Sequence, residues 1–212
     1  MGLLDVMVQP EDEAVEEVVL RRDLRLEITL WPQRCEEACS QIWPGGLVLS
    51  HYLVEGRGGK WASKLATSPQ QRIIELGSGT GICGMTAAAL GGRVIATDLA
   101  ECLPILSKNL AHNTVTITQH GGSIEAAPLR WGDEAQIEAC YDRGPFDLVL
   151  LCDCMYHTGE APEALVKTVL ALPGNPEVLV CNERRARTNT IADGSKPQVW
   201  LVVRSCSVLY SV

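Results

Sequence analysis

Several classes of protein are excluded by what this sequence lacks. No apolar run approaches the roughly 20 residues that a helix needs to span a bilayer, although 46% of the 212 residues are hydrophobic. Residues 1–17 carry acids where a secretion signal would carry a basic stretch. There is no CxxC pair, and Cys35-x3-Cys39 and Cys152-x-Cys154 have no matching second half. That argues against a zinc module. The nine cysteines are instead scattered, and Cys83, Cys152, Cys181 and Cys206 sit among apolar neighbours. This is the pattern of reduced, buried thiols in an intracellular protein. The four histidines make no metal constellation. Positive charge is also short: 18 Lys and Arg stand against 26 Asp and Glu, a formal net charge of −8. Such a balance argues against nucleic acid and for a basic partner. Internal repeats and low-complexity segments are missing as well. What is present is enough chain for one domain with a substantial core.

The organising stretch is Ile73-Ile74-Glu75-Leu76-Gly77-Ser78-Gly79-Thr80-Gly81. Two β-branched residues lead through an acid into a run of glycines. Residues 82–90 suit a helix, closed by Gly91-Gly92 where a left-handed cap would sit. Residues 93–98 read as a second strand ending in Asp98. Strand, glycine turn, helix, strand and acid make the first unit of a nucleotide-binding α/β sheet. Asp98 can accept hydrogen bonds from the two hydroxyls of a ribose. The segment Gly79-Thr80-Gly81-Ile82-Cys83-Gly84 satisfies the dinucleotide pattern, but two residues late, after Gly77 has begun the turn. Glu75 would repel a pyrophosphate, whereas it is tolerable beside the cationic sulfonium and amino groups of S-adenosylmethionine (AdoMet). AdoMet is therefore favoured over NAD.

Elsewhere, residues 1–20 form an acidic N-terminus expected to fray, and 21–212 a single domain. Residues 24–30 alternate apolar and polar, the period of a half-buried strand. Trp43 leads into an apolar, helix-length stretch at 47–54; its indole could belong to the core or cover a ligand. Residues 56–69 read as a linker with a short helical piece at 61–65. Leu103, Leu106 and Leu110 mark one face of a helix, 114–122 is polar and turn-rich, and 124–129 reads as a third strand. The clearest strand is 146–152, a continuous apolar run that suits a parallel strand covered on both faces. It delivers Asp153-Cys154-Met155-Tyr156 to its C-terminal end, where ligands bind in open α/β sheets. A helix at 163–172 and a strand at 177–181 follow. Taken singly, Asp153 could be a helix N-cap and Tyr156 a core ring.

With Trp43, the 75–81 loop, Asp98, Trp131-Gly132 and Asp153-x-x-Tyr156 in place, the chain resembles the seven-β-strand protein-lysine methyltransferases that modify non-histone proteins. The match covers roughly 24–185 and includes 98–104 and Asn109 to Asn113. The glycine motif indicates only an AdoMet methyltransferase; Trp-Gly together with Asp-x-x-Tyr narrows it to this group. The resemblance implies a Rossmann-like, mostly parallel seven-stranded sheet with helices on both faces. It also implies AdoMet as cofactor, with Trp43, Gly77, Ser78, Gly79, Asp98, Trp131 and Cys152 lining its pocket. Asp153 and Tyr156 would face the acceptor amine. The partner expected is a protein substrate offering a lysine, with no nucleic acid, no membrane and no metal, for a monomer of the cytoplasm or also the nucleus.

The tail departs from the group. Only 27 residues follow Arg185, and 188–197 is polar and turn-like. A strand at 199–203 with a short partner is expected, leaving the C-terminal strands incomplete. A protein-histidine or small-molecule methyltransferase, or an AdoMet-binding protein without catalysis, stays open; an NAD oxidoreductase is more distant.

Overall fold

The computed structural model describes residues 13–30, 38–67, 70–155, 160–184 and 198–205. Six strands form the main sheet: β3 (Arg72–Leu76), β4 (Arg93–Asp98), β5 (Ser123–Pro128), β6 (Phe146–Cys152), β7 (Gly174–Arg184) and β8 (Gln198–Ser205). Their order is β5-β4-β3-β6-β7-β8. The first five run parallel, and β8 pairs antiparallel with β7 from Glu177↔Ser205 to Arg184↔Gln198. The chain moves outward from β3 to β5, then returns to lay β6 against the other side of β3. That reversal opens a crevice at the C-terminal ends of β3 and β6, where open α/β sheets bind ligands.

The central strands carry apolar residues on both faces because both faces are covered. Ile73, Leu148 and Leu150 pack on one face with α1 (Pro44–Leu65) and α2 (Ile82–Ala89). Ile74, Val149 and Leu151 pack on the other with α5 (Glu134–Glu138) and α6 (Ala161–Ala171). All six strand residues are at most 5% exposed. Strand alternation thus assigns neighbouring residues to opposite cores. The expected doubly covered α/β sheet is present. Its main sheet holds six strands among the described residues.

Three segments differ from expectation. The stretch 47–65 is one helix, α1, and has no linker at Gly56. Leu49, Leu53, Trp61 and Leu65 recur on the four-residue spacing of one helical face and are 0–1% exposed. Burying that stripe outweighs the roughly 1 kcal/mol that each interior glycine costs a helix. Residues 14–20, expected to fray, belong to β1 (Ala14–Arg21), which pairs antiparallel with β2 (Leu24–Leu30). Val18 and Leu20 are buried, while Glu16 and Glu17 are exposed. Acid content hid an alternating strand. Residues 114–118, expected to be turn, form a short helix, α4 (Thr114–Thr118), which follows α3 (Leu103–His112).

Candidate functional site

The glycine turn follows β3 directly. Gly77 has φ +72°, and a Cβ there would lie 2.9 Å from the Cys154 sulfur and 3.0 Å from the Trp131 ring. Only glycine permits both that backbone and that approach. Gly77 and Ser78 donate their N–H groups to the Thr97 carbonyl, each at 2.9 Å, so the turn is tied to the end of β4. The Asp98 carboxylate completes the tie. One oxygen accepts the Gly79 N–H at 2.7 Å, and the other accepts the Leu99 N–H at 2.7 Å. Burial raises the Asp98 carboxyl above its usual range, and these two amides partly offset that. Each oxygen keeps a further lone pair for a ligand.

A cavity of about 640 Å³ opens at this end of the sheet, within the range of small-molecule sites. Trp43, Gly77, Ser78, Gly79, Asp98, Trp131 and Cys152 all line it, and so does Asp153. Trp43 is half-buried at the N-cap of α1, on the cavity wall and outside the core. Trp131 is held through its neighbour, since the Gly132 N–H donates to Thr168 Oγ1 on α6 at 2.8 Å. Ser78 Oγ is buried and has no hydrogen-bond partner. Its hydroxyl lies close enough to favour the charged form of Glu75, but its geometry falls short of a hydrogen bond.

Glu75 is 1% exposed and accepts the Gly84 N–H at 3.1 Å. Burial pushes its carboxyl up to about 8, partly offset by Ser78 and that N–H. Two of the cavity thiols are held protonated. Contacts with the Cys181 and Cys83 thiols, then burial, push Cys152 upward, and contact with Cys39 does the same to Cys102. Thiols held protonated in this way are poor nucleophiles. The seven described cysteines are all free, and no metal-holding group of His, Cys, Asp or Glu occurs among the described residues.

Asp153 is a helix cap, but not of the helix that follows it. Its Oδ2 accepts the Gly45 N–H at 2.8 Å, in the first turn of α1, 108 residues upstream. Its Oδ1 accepts the Glu183 N–H of β7 at 2.6 Å. The carboxylate is 6% exposed and its backbone has φ +50°, a conformation Asp tolerates better than most residues. A Cβ at position 45 would lie 2.5 Å from Asp153 Oδ2, so glycine is required there for the carboxylate to reach the amide. Asp153 therefore staples α1, β6 and β7 together at the cavity. Tyr156 lies outside the described residues.

Sequence reasoning missed part of the wall. Cys102 and Glu101 come from the 3-10 turn Ala100–Cys102, and Glu160, Ala161 and Ala164 from the start of α6. The turn could have been found, because residues just after a strand-terminal acid share its loop. The α6 residues carry no such signal.

Comparison with known proteins gives a concordant result. The family profile for lysine methyltransferases matches residues 23–191. Among curated relatives, protein N-lysine methyltransferase METTL21A of Danio rerio is 30% identical over 143 residues, covering 68% of this chain and 59% of its own. Protein-lysine N-methyltransferase EFM6 of Saccharomyces cerevisiae is 30% identical over 169 residues, covering 72% and 66%. The chain thus spans about three-fifths to two-thirds of the length of these two relatives. The solved structure of SMU.776 complexed with SAH shares the fold, with TM-score 0.52 and 12% identity over 84% of this chain and 43% of that one. With the profile covering most of the sheet and every strand that frames the cavity, the chain belongs to the lysine methyltransferase family.

Proposed function

We propose that this protein is an AdoMet-dependent methyltransferase whose acceptor is a lysine side chain of a non-histone protein. The observation that carries the reading is the cavity at the sheet's reversal point, with the glycine turn on one side and Asp98 beside it. The residues suit the cofactor. Ser78 Oγ is a buried polar atom awaiting a partner, and Asp98 retains lone pairs toward the cavity for ribose hydroxyls. Trp43 and Trp131 offer flat apolar faces to an adenine or a methionine chain. Glu75, buried at the cavity floor, suits a cationic ligand and opposes a pyrophosphate. AdoMet supplies a methyl group activated on a sulfonium.

The protein's own contribution is positioning, because in-line displacement requires mainly a neutral amine held on axis in a dry site. Asp153 fixes the mouth of the cavity through Gly45 and Glu183. With both oxygens already accepting backbone N–H groups, it acts as a positioning carboxylate whose spare lone pairs can orient an acceptor N–H. By the family resemblance, Tyr156 stands on the acceptor side. No described helix is long and apolar enough to cross a membrane. The reading takes the protein as a monomer of the cytoplasm or nucleus, acting on a protein and not on nucleic acid or a membrane surface. The free thiols and the net charge of −8 support it.

Calorimetry tests the cofactor half. AdoMet and its demethylated product should bind, NAD should not, and Asp98→Ala should weaken AdoMet by at least tenfold, about the worth of one charge-assisted hydrogen bond. Unchanged affinity in that variant contradicts the assignment.

A further inference from the structure

Asn109 and Asn113 lie one turn apart near the end of α3, 0% and 4% exposed. Asn113 Oδ1 accepts the Glu27 N–H at 2.9 Å, and its Nδ2 donates to the Glu27 carbonyl at 2.7 Å. Asn109 repeats the pattern at Thr29, with Oδ1 accepting the N–H at 2.8 Å and Nδ2 donating to the carbonyl at 3.3 Å. In an antiparallel pair every second residue turns its backbone groups away from its partner. Glu27 and Thr29 pair with Glu17 and Val15 of β1 in register, so the two asparagines serve the other edge of β2. The spacing explains the fit. Four helical residues rise roughly 6 Å and two strand residues roughly 6.7 Å, so one helix face can imitate a neighbouring strand.

Asn109 makes one bond that Asn113 does not. Its Nδ2 also donates to the Thr80 carbonyl of the glycine turn at 2.9 Å. One amide group therefore joins the β1–β2 hairpin to the turn that lines the cavity. Ala38–Ser40 and Trp43, which come after the hairpin in sequence, supply Cys39 and Trp43 to the same cavity, and Cys39 lies against the glycine turn at Gly79.

We infer that Asn109 is a positioning residue for the cofactor, holding the glycine turn at Thr80 against β2, and that the N-terminal hairpin is a working part of the cofactor site. The inference rests on the reading of the cavity as an AdoMet site. Asn113 is its internal control, because it makes the same kind of contact with the hairpin and none with the turn.

The experiment compares Asn109→Asp with Asn113→Asp in the full chain, using AdoMet as the probe in calorimetry and a melting curve for each. Both changes keep one acceptor oxygen and turn the donors into a repelling carboxylate, so both should lower the melting temperature. Asn109→Asp should also weaken AdoMet roughly tenfold, while Asn113→Asp stays within about threefold of the unaltered protein. Equal effects on affinity, or none, would reduce Asn109 to a structural role and overturn the inference, leaving the proposed function standing. No AdoMet binding by the unaltered protein would overturn both. If Asn109→Asp does not fold, hydrogen exchange on the unaltered protein decides. By reciprocity of coupling, AdoMet should slow exchange at the Thr29 amide more than at the Glu27 amide. Equal change at the two amides would refute the coupling.

Discussion

The carboxyl of Glu75 is buried at the foot of the cavity, where burial holds it up to about 8 against an ordinary 4.5. The consequence for stability has a definite sign. Below about pH 4.5 the group is protonated in both folded and unfolded chains and favours neither. As pH rises, the unfolded chain ionises freely while the folded chain resists, so stability falls between about 4.5 and 8 and then levels off. Glu75→Gln should remove that slope, and the difference between the two proteins should reach the order of a few kcal/mol. Denaturant unfolding at pH 5 and pH 8 measures it; parallel curves would show that Glu75 ionises normally. The same group predicts a proton released when AdoMet binds near neutral pH, because a cation in the cavity favours the carboxylate. Calorimetry in two buffers of different ionisation enthalpy would detect the release. At this scale the sequence disclosed what side chains declare: Asp98, the glycine turn and Glu75. It hid the links from Asp153 to Gly45 and Glu183, because both partners are backbone amides, and a backbone amide has no letter of its own.

At the scale of elements, legibility followed the strength of the apolar pattern. Strands β3, β4 and β6 carry short apolar runs beside turn residues, and their positions could be read directly. The helix α1 could not, because Gly56, Gly58 and Gly59 interrupt its sequence while its buried stripe continues past them from Leu53 to Trp61. That stripe is what sustains the helix. Trp61 is 1% exposed and lies in the same core as Leu148, Leu150 and Met85. Trp61→Ala should therefore cost about 3–5 kcal/mol. It should also lower the helix signal by more than a single side chain would account for, since the glycine-containing middle then loses its anchor. Chemical denaturation with circular dichroism checks both. A loss under about 1 kcal/mol, typical of an exposed position, would mean the C-terminal half of α1 adds little to the core.

For the whole molecule, the main sheet ends on strands paired along one side only among the described residues, β5 with β4 and β8 with β7. Strand β6 has partners on both sides, β3 and β7, whereas β8 pairs with β7 alone among the described residues. The strand expected at 199–203 is there and extends to Gln198–Ser205; the shorter partner expected beyond it lies outside the described residues. A strand paired on one edge leaves half its amides to water. Hydrogen exchange should show Phe146–Cys152 protected throughout and Gln198–Ser205 protected at alternate amides only. Uniform protection of β8 equal to that of β6 would show its outer edge covered.

The central claim is that this fold moves a methyl group from AdoMet to a protein lysine. It is tested most directly by incubating the protein and methyl-labelled AdoMet with a lysate of cells lacking this protein, then locating the label by mass spectrometry. The account predicts label on Nζ of a lysine in a discrete protein, lost with Asp98→Ala. Label on a histidine or a small molecule, or none above the Asp98→Ala control, would contradict it.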